Sequence, residues 1–182
     1  PLGARALGED APVIPGLRVY ATPADGGSYV IGVDPAEGNP GSDPSALVVL
    51  DADTGEEVAS YAGRVDPAII ASYVDEVGSW YNGAGVLVER NNHGHAVLAH
   101  LDASEHYDGA RVYEQHHQLG WLTSALSRPR MIEQFAALVS RHPDLLSSAR
   151  LLTECRTFVR HQDGTAAAAS GAHDDCVMAM AI

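Results

Sequence analysis

The 182-residue sequence contains no lysine, so all 11 of its basic side chains are arginines. The phosphate-binding loop of P-loop ATPases requires a lysine that reaches the nucleotide phosphates, and its absence excludes that class of motor. The 24 acidic residues give a formal net charge of −13, which opposes binding to polyanions through charge alone. A nucleic acid substrate would therefore need bound divalent cations, a more basic partner or a further part of the polypeptide at the contact.

Cysteines and long apolar runs are also scarce. Cys155 and Cys176 are the only two cysteines, and both fall in segments with a helical pattern, which is typical of small buried hydrophobic side chains. No run of about 18 uncharged apolar residues occurs, and the N-terminus lacks the charged-then-apolar layout of a signal peptide. We therefore expect a cytosolic protein without a membrane contact.

Apolar residues make up 46% of the sequence, which at this length is enough for one domain with a buried core. Residues 1–27 are rich in Pro, Gly and Ala and show no sustained period. We expect this segment to be a tail or linker, whose first few residues could stem from cloning. The predicted domain comprises residues 28–182, with a boundary near Gly26.

Short β-type runs and helical stretches alternate after this boundary, which is typical of an α/β domain. The turn residues at 51–55 indicate antiparallel hairpins, so we expect the sheet to start as a meander. The run that ends at Glu89 is continuously apolar, as in a strand buried on both faces. The predicted strands are Ser28–Asp34, Ser45–Leu50, Glu57–Gly63, Val86–Glu89 and Arg111–Glu114.

Helical spacing of apolar residues marks five further segments. The first begins at Asp66, which precedes Pro67 as an N-cap precedes the first turn. The last begins at the pair Asp174 and Asp175, and a loop or small hairpin around Asp163 and Gly164 comes before it. The predicted helices are 66–80, 95–101, 130–142, 151–159 and the segment from 174 onward.

Acidic residues stand at the end of two apolar runs and at the start of a third. Asp34 and Glu89 end predicted strands, and Asp174 and Asp175 precede the final apolar stretch. A buried carboxylate must be paired or bound to a metal ion. Hard cations such as Mg²⁺ and Mn²⁺ take oxygen ligands, and two such ions can promote phosphodiester cleavage. The sequence therefore predicts one metal site formed by Asp34, Glu89 and one or both of the paired aspartates.

Each of these acids also has a simpler interpretation. Asp34 could be a turn residue before Pro35, and Glu89 could pair with Arg90 or another arginine. Asp174 or Asp175 could cap the last helix and interact with its dipole. One shared metal site explains all of them together, whereas the simpler interpretations must hold separately.

Four motifs support a family resemblance through their order and spacing. They are Gly32–Gly38, Asp43–Ala46, Val88–Gly94 and His173–Ala179, and together they resemble the nuclease domain of the large terminase subunits of tailed bacteriophages. The resemblance implies an RNase H-like fold, related to RuvC-type resolvases, with a mixed sheet of five or more strands flanked by helices on both faces. It also implies an endonuclease that cuts concatemeric double-stranded DNA with two Mg²⁺ or Mn²⁺ ions.

The resemblance also assigns roles to the acids. Asp34 matches the first-strand aspartate that bridges both ions, and Glu89 matches the acid on the central strand. Asp175 is the expected constant ligand, with Asp174 close enough to join the second ion, although the doubled aspartate leaves this register open.

Three further residues are expected beside the ligands. Asp43 matches an acidic loop position that could touch a metal-bound water, or it is simply an Asp-Pro turn. His173 could contact the scissile phosphate or cap its loop. Asn91 belongs to the same motif as Glu89.

Arginines and histidines supply additional candidates. Arg128 and Arg130 flank Pro129 and could contact DNA phosphates, as could Arg90 and Arg160, with simple solvation as the alternative. The closely spaced histidines at 93 and 95, and at 116 and 117, lack the cysteine partners and spacing of a zinc motif.

The expected setting follows from the resemblance. Partners would be double-stranded DNA, an ATPase motor domain of the same polypeptide, the portal and the small terminase subunit, in the host cytoplasm rather than the mature virion. Two alternatives remain open. One is another RNase H-like nuclease, such as a junction resolvase or transposase core, and the other is a non-catalytic assembly module with a structural ion.

Overall fold

A five-stranded mixed sheet forms the centre of the computed structural model, which describes residues 1–3, 7–8, 10–104, 108–161 and 164–182. The strand order is β1-β4-β3-β2-β5, in which β2, β3 and β4 form an antiparallel meander and β5 runs parallel to β2. This arrangement confirms the expected mixed sheet. The strands are β1 Arg18–Val19, β2 Tyr29–Asp34, β3 Ser45–Asp51, β4 Glu57–Gly63 and β5 Gly85–Val88.

Helices cover both faces of this sheet, as expected. The first two pack with the side chains of Ile31 and Val33 on one face, and the last three pack with Ala46 and Val48 on the other. Within the described ranges, none of the helices is long and apolar enough to span a membrane. The helices are α1 Pro67–Trp80, α2 Gly94–Asp102, α3 Ser127–Arg141, α4 Ala149–Thr157 and α5 Asp175–Ala181.

Helix α1 illustrates how local sequence sets an element. The Asp66 side chain accepts a hydrogen bond from the Ala68 backbone N–H at 2.9 Å, and Pro67 occupies the first turn. The apolar residues Ile70, Val74 and Val77 then recur on one side and are fully buried against the sheet. The predicted start of this helix is confirmed.

Strand β5 is not central, contrary to expectation, because it stands at the end of the strand order. Its outer edge is nevertheless covered. The Tyr113 N–H donates to the Val86 carbonyl at 2.7 Å, and the Trp121 N–H donates to the Val88 carbonyl at 2.8 Å. The expected burial on both faces is only partly met, because Val86 and Val88 are fully buried whereas Gly85 and Leu87 on the other face are partly exposed. Glu89 follows directly after the strand.

The predicted strand Arg111–Glu114 is wrong. A 3-10 turn spans Gly109–Arg111, Val112 forms only an isolated bridge with Val86, and a small hairpin follows, with strands β6 Glu114–Gln115 and β7 Gln118–Leu119. His116 and His117 have φ values of 52° and 60°. Two successive residues with positive φ make the tight turn that closes such a hairpin.

Two other segments differ from expectation. Residues 18–19, within the predicted tail, form β1 and pair with β4, and Ile14 and Val19 are buried. The tail therefore carries an edge strand, while the position of the domain boundary stays a prediction. The predicted helix 151–159 ends at Thr157, and β8 Phe158–Arg160 then pairs with β9 Ala166–Ala168. This confirms a hairpin before α5, although Asp163 at its expected turn lies outside the described residues.

Gly32 allows α5 to lie directly on β2. A Cβ atom at this position would lie 1.8 Å from the backbone carbonyl oxygen of Ala179. No side chain fits there, because a backbone carbonyl cannot move aside as a flexible side chain can. The contact brings the start of α5 toward Asp34, which lies two residues after Gly32.

Replacement of Gly32 by alanine should therefore destabilise the domain by about 3 kcal/mol or more, since α5 must move away from the sheet. Urea unfolding followed by circular dichroism measures this change. Gly41→Ala is the matched control, because a Cβ atom at Gly41 meets nothing within 4 Å. Equal stability of the two variants would contradict the proposed contact.

Candidate metal centre

Asp34 and Glu89 emerge side by side from two parallel strands. Val33 of β2 is paired with Val88 of β5, and the Glu89 N–H donates to the Val33 carbonyl at 2.9 Å. The carboxyl ends of neighbouring parallel strands meet at the same edge of the sheet, where binding sites of α/β proteins commonly lie. The predicted pairing of these two acids is therefore built into the strand register.

The paired aspartates of α5 join the same site. Burial, a hydrogen bond shared with Glu89 and the negative charges of Glu89, Asp175 and Asp174 raise the pKa of Asp34 well above its ordinary value. A carboxyl group is affected in this way only by carboxylates close to it. The structure thus places the four predicted acids near one another, although no three of these described residues offer ligand atoms within 4.8 Å of one another. Their role as metal ligands stays a prediction.

Asp175 is the more buried of the paired aspartates. Its side chain is 6% exposed, and its Oδ2 lies 3.5 Å from Arg150 Nη2 and 3.6 Å from His173 Nδ1. Burial and the negative charges of Glu154 and Asp43 raise the pKa of Asp175 to about 7, with His173 and Arg150 acting in the opposite direction. Asp175 is therefore held close to other charged groups with little access to water.

Asp174 has different partners. Its Oδ2 lies 3.3 Å from Arg128 Nη2 and accepts a hydrogen bond of 3.3 Å from the Ala168 backbone N–H. Asp174 precedes the first residue of α5 but makes no capping hydrogen bond with its side chain. The two aspartates therefore point toward different neighbours.

Glu154 caps α5 in place of the aspartates. Its Oε2 accepts hydrogen bonds from the backbone N–H groups of Cys176 at 2.8 Å and Val177 at 3.2 Å. The interpretation of the acidic pair as helix caps is thus wrong for their side chains. Glu154 was not among the predicted site residues, although an acid within the apolar pattern of α4, four residues after Arg150, was a detectable signal.

Asp43 and His173 lie next to Asp175. His173 Nδ1 is 3.3 Å from Asp43 Oδ1, and potential ligand atoms of the three residues all lie within 4.8 Å of one another. In the described ranges no other group of three acidic, histidine or cysteine side chains meets this criterion. The histidines at 116 and 117 therefore form no such group there.

The donor set fits a hard divalent cation. Carboxylate oxygens are the ligands that Mg²⁺ and Mn²⁺ prefer, whereas a structural zinc site draws mainly on cysteine and histidine. Burial, and after it the negative charge of neighbouring acids, raises the pKa values of Asp34 and Asp175. A bound cation would remove this repulsion.

The sequence matches the terminase RNase H-like domain family over residues 31–182. The chain belongs to this family. The resemblance found in the sequence motifs is thereby confirmed, and no curated protein matches the chain.

Solved structures share the fold of this terminase domain. The large terminase nuclease from thermophilic phage G20c aligns with a TM-score of 0.72 and 22% identity, covering 91% of this chain and 86% of that chain. The structure of the same nuclease with bound magnesium aligns with a TM-score of 0.72 and 23% identity, covering 91% of this chain and 85% of that chain. The Thermus phage P74-26 large terminase nuclease domain aligns with a TM-score of 0.68 and 21% identity, covering 94% of this chain and 85% of that chain. The RNase H-like fold expectation is confirmed.

The predicted DNA-contacting arginines of the terminase domain fall into two places. Arg90, which is buried, and Arg130 line a groove of about 560 Å³. Arg128 and Arg160 line a smaller cavity of about 240 Å³. Solvation as the default interpretation is therefore wrong for Arg90, whose Nη1 donates to the Gln118 carbonyl at 3.4 Å.

Sequence analysis missed a third groove, which borders the metal centre. It has a volume of about 780 Å³ and is lined by Arg64, Arg150 and His173, among others. Asn91, by contrast, anchors the loop after β5, because its Nδ2 donates to the Thr123 carbonyl at 2.7 Å.

The metal-free terminase domain should lose stability as the pH rises. A carboxyl group with a raised pKa favours folding only while it is protonated, so Asp175 contributes stability that is complete below its unfolded pKa of about 4. This contribution is lost as the pH passes through the folded value of about 7. In EDTA, we expect a lower melting temperature at about pH 8 than at about pH 5.

Asp175→Asn should flatten this pH dependence, whereas Asp102→Asn, at an exposed position on α2, should leave it unchanged. Saturating Mg²⁺ should raise the melting temperature more at the higher pH, because the ion binds ionised carboxylates. Scanning fluorimetry measures both effects. An Asp175→Asn profile parallel to that of the unaltered protein would refute this account.

Proposed function

We propose that this terminase domain is a divalent-metal-dependent endonuclease that hydrolyses phosphodiester bonds in double-stranded DNA. The main support is the convergence of Asp34, Glu89, Asp174 and Asp175 from two strands and a helix, with helix capping left to Glu154. Membership of the terminase RNase H-like family and the fold shared with phage terminase nucleases support the same reaction class. The substrate would be concatemeric phage DNA during packaging.

Asp34, Glu89 and Asp175 would hold two Mg²⁺ or Mn²⁺ ions, with Asp174 contributing to the second. Bound ions would supply an activated water molecule and stabilise the departing oxygen. The charges of all three other acids act on Asp34. It is therefore the residue best placed to serve both ions.

His173 would orient the phosphate or the attacking water. Its side chain is 40% exposed, so it is reachable from the groove that it lines with Arg64 and Arg150. Asp43, at 3.3 Å from His173 Nδ1, would hold the ring in place. In a domain with a net charge of −13, these two arginines would contact DNA phosphates next to the ions.

The wider setting belongs to the same proposal. The domain would act with an ATPase motor domain of the same polypeptide, with the portal and with the small terminase subunit, in the cytoplasm of the host cell. Within such an assembly the motor and its partners would present the DNA that the acidic domain alone binds weakly.

Plasmid nicking and linearisation test this function. We expect cleavage with Mg²⁺ or Mn²⁺ and none in EDTA. Asp34→Asn and Asp175→Asn should each lower the rate at least about a hundredfold, because metal-ion catalysis contributes several kcal/mol and each 1.36 kcal/mol corresponds to tenfold. Cys155→Ala, which leaves all four acids in place, should cleave as the unaltered protein does.

The alternatives predict different results in the same assay. A junction resolvase would prefer a four-way junction to linear duplex DNA. A non-catalytic module with a structural ion would show metal-dependent melting without cleavage by any metal, and that result would contradict the proposed nuclease.

Binding of duplex DNA by the isolated domain should be weak without metal. We expect a dissociation constant no tighter than about 10⁻⁶ M at physiological salt, the range of non-specific binding, because the net charge repels the phosphates. Fluorescence anisotropy with a labelled duplex measures it. Ca²⁺ should tighten the complex, and a tight, salt-insensitive complex in EDTA would contradict the expected role of the ions.

A further inference from the structure

We propose that Glu154 is a positioning residue of the metal centre, which orients Asp175 by fixing the first turn of α5. This inference rests on the proposed function, because it assumes that Asp175 is a metal ligand. None of the four sequence motifs contains Glu154.

Both carboxylate oxygens of Glu154 are fully engaged. Oε2 accepts from the backbone N–H groups of Cys176 and Val177, at 2.8 and 3.2 Å. Oε1 accepts from Arg150 Nε at 2.8 Å. With only 4% of the residue exposed, the carboxylate is held in one orientation. Because Cys176 directly follows Asp175, the anchoring bonds act one residue from the proposed ligand.

A carboxylate at position 154 disfavours ionisation of the nearby Asp175 side chain. The negative charge of Glu154 acts unfavourably on the Asp175 carboxylate, and Arg150 offsets this only from a partly exposed position, with Nη2 at 3.5 Å from Asp175 Oδ2. Asp174 stands at the N-cap position of α5, where an aspartate side chain can cap a helix without a second buried acid. Because Glu154 of α4 caps the helix, the Asp174 side chain makes no capping hydrogen bond and contacts Arg128 and the Ala168 N–H instead.

Helix α4 is itself tied to the sheet by a buried acid. Glu57 of β4 is 2% exposed, and its Oε2 accepts from the backbone N–H groups of Ser147 at 2.8 Å and Ser148 at 2.7 Å. Ser148 caps α4 by accepting from the Leu151 N–H at 3.2 Å. Hydrogen bonds therefore connect β4 to the start of α4, and α4 to the start of α5. This connection positions Asp175 independently of the contact at Gly32.

Glu154→Gln is the main test, because glutamine keeps the size of the side chain and one acceptor oxygen but loses the charge and the second acceptor. Mn²⁺ binding is measured by isothermal titration calorimetry, and cleavage is measured against metal concentration. We expect the half-saturating metal concentration to rise on the order of 10-fold, the usual effect of removing a group that orients a ligand. At saturating metal, the cleavage rate should return close to that of the unaltered protein.

Glu154→Ala should weaken metal binding further, up to about 100-fold, because two buried N–H groups then lack an acceptor. Glu76→Gln, which removes one exposed acid from α1 on the opposite face of the sheet, is the charge control and should bind Mn²⁺ as the unaltered protein does.

The outcomes separate this inference from the proposed function. Glu154→Gln with a lowered melting temperature but unchanged Mn²⁺ affinity would overturn the positioning role and leave the nuclease proposal intact. Unaltered protein that binds Mn²⁺ but does not cut DNA, with weakened binding in Glu154→Gln, would overturn the nuclease proposal alone. Unaltered protein that binds no Mn²⁺ would overturn both.

Discussion

Mutual repulsion among four gathered carboxylates is the constraint on which the rest of this structure depends. Burial and three neighbouring acids raise the pKa of Asp34, so bringing these groups together costs free energy in the absence of a cation. The fold must supply that free energy through its packing. Apolar clusters on both faces of the sheet do so, since α1 and α2 pack on one side and α3, α4 and α5 on the other.

Backbone contacts and one buried side chain, that of Glu154, hold the acids in place. The parallel register of β2 and β5 places Asp34 beside Glu89, and Gly32 lets α5 approach the sheet to the distance at which a Cβ atom would lie 1.8 Å from a carbonyl oxygen. Glu154 then fixes the first turn of α5. These contacts set the positions of the acids before any ion binds, and precise positioning is what catalysis requires.

Much of this arrangement could be predicted from sequence. Asp34 and Glu89 were recognisable because an acid at the end of an apolar strand has few stable environments, and α1 because Asp66 and Pro67 are local signals. The position of β5 within the sheet was harder to predict from sequence. The apolar pattern of β5 predicts burial but not position, and Val86 and Val88 are fully buried although the strand stands at the end of the order, with Tyr113 and Trp121 along its outer edge.

Contacts distant in sequence account for most of the other differences. Glu154 caps a helix that begins 21 residues later, and no spacing rule relates the two. The pair formed by Arg18–Val19 with β4 is equally remote from any local pattern. The strand predicted at 111–114 was wrong for a local reason. Its β-type residues lead into a tight turn at His116 and His117, and histidine is not a residue that indicates such a turn.

The most direct test of the metal centre is anomalous diffraction from crystals of this domain soaked in Mn²⁺. The account predicts two peaks, bound by the carboxylates of Asp34, Glu89 and Asp175, with Asp174 next to the second. A peak held only by Asp43 and His173, or no peak among the four acids, would contradict it.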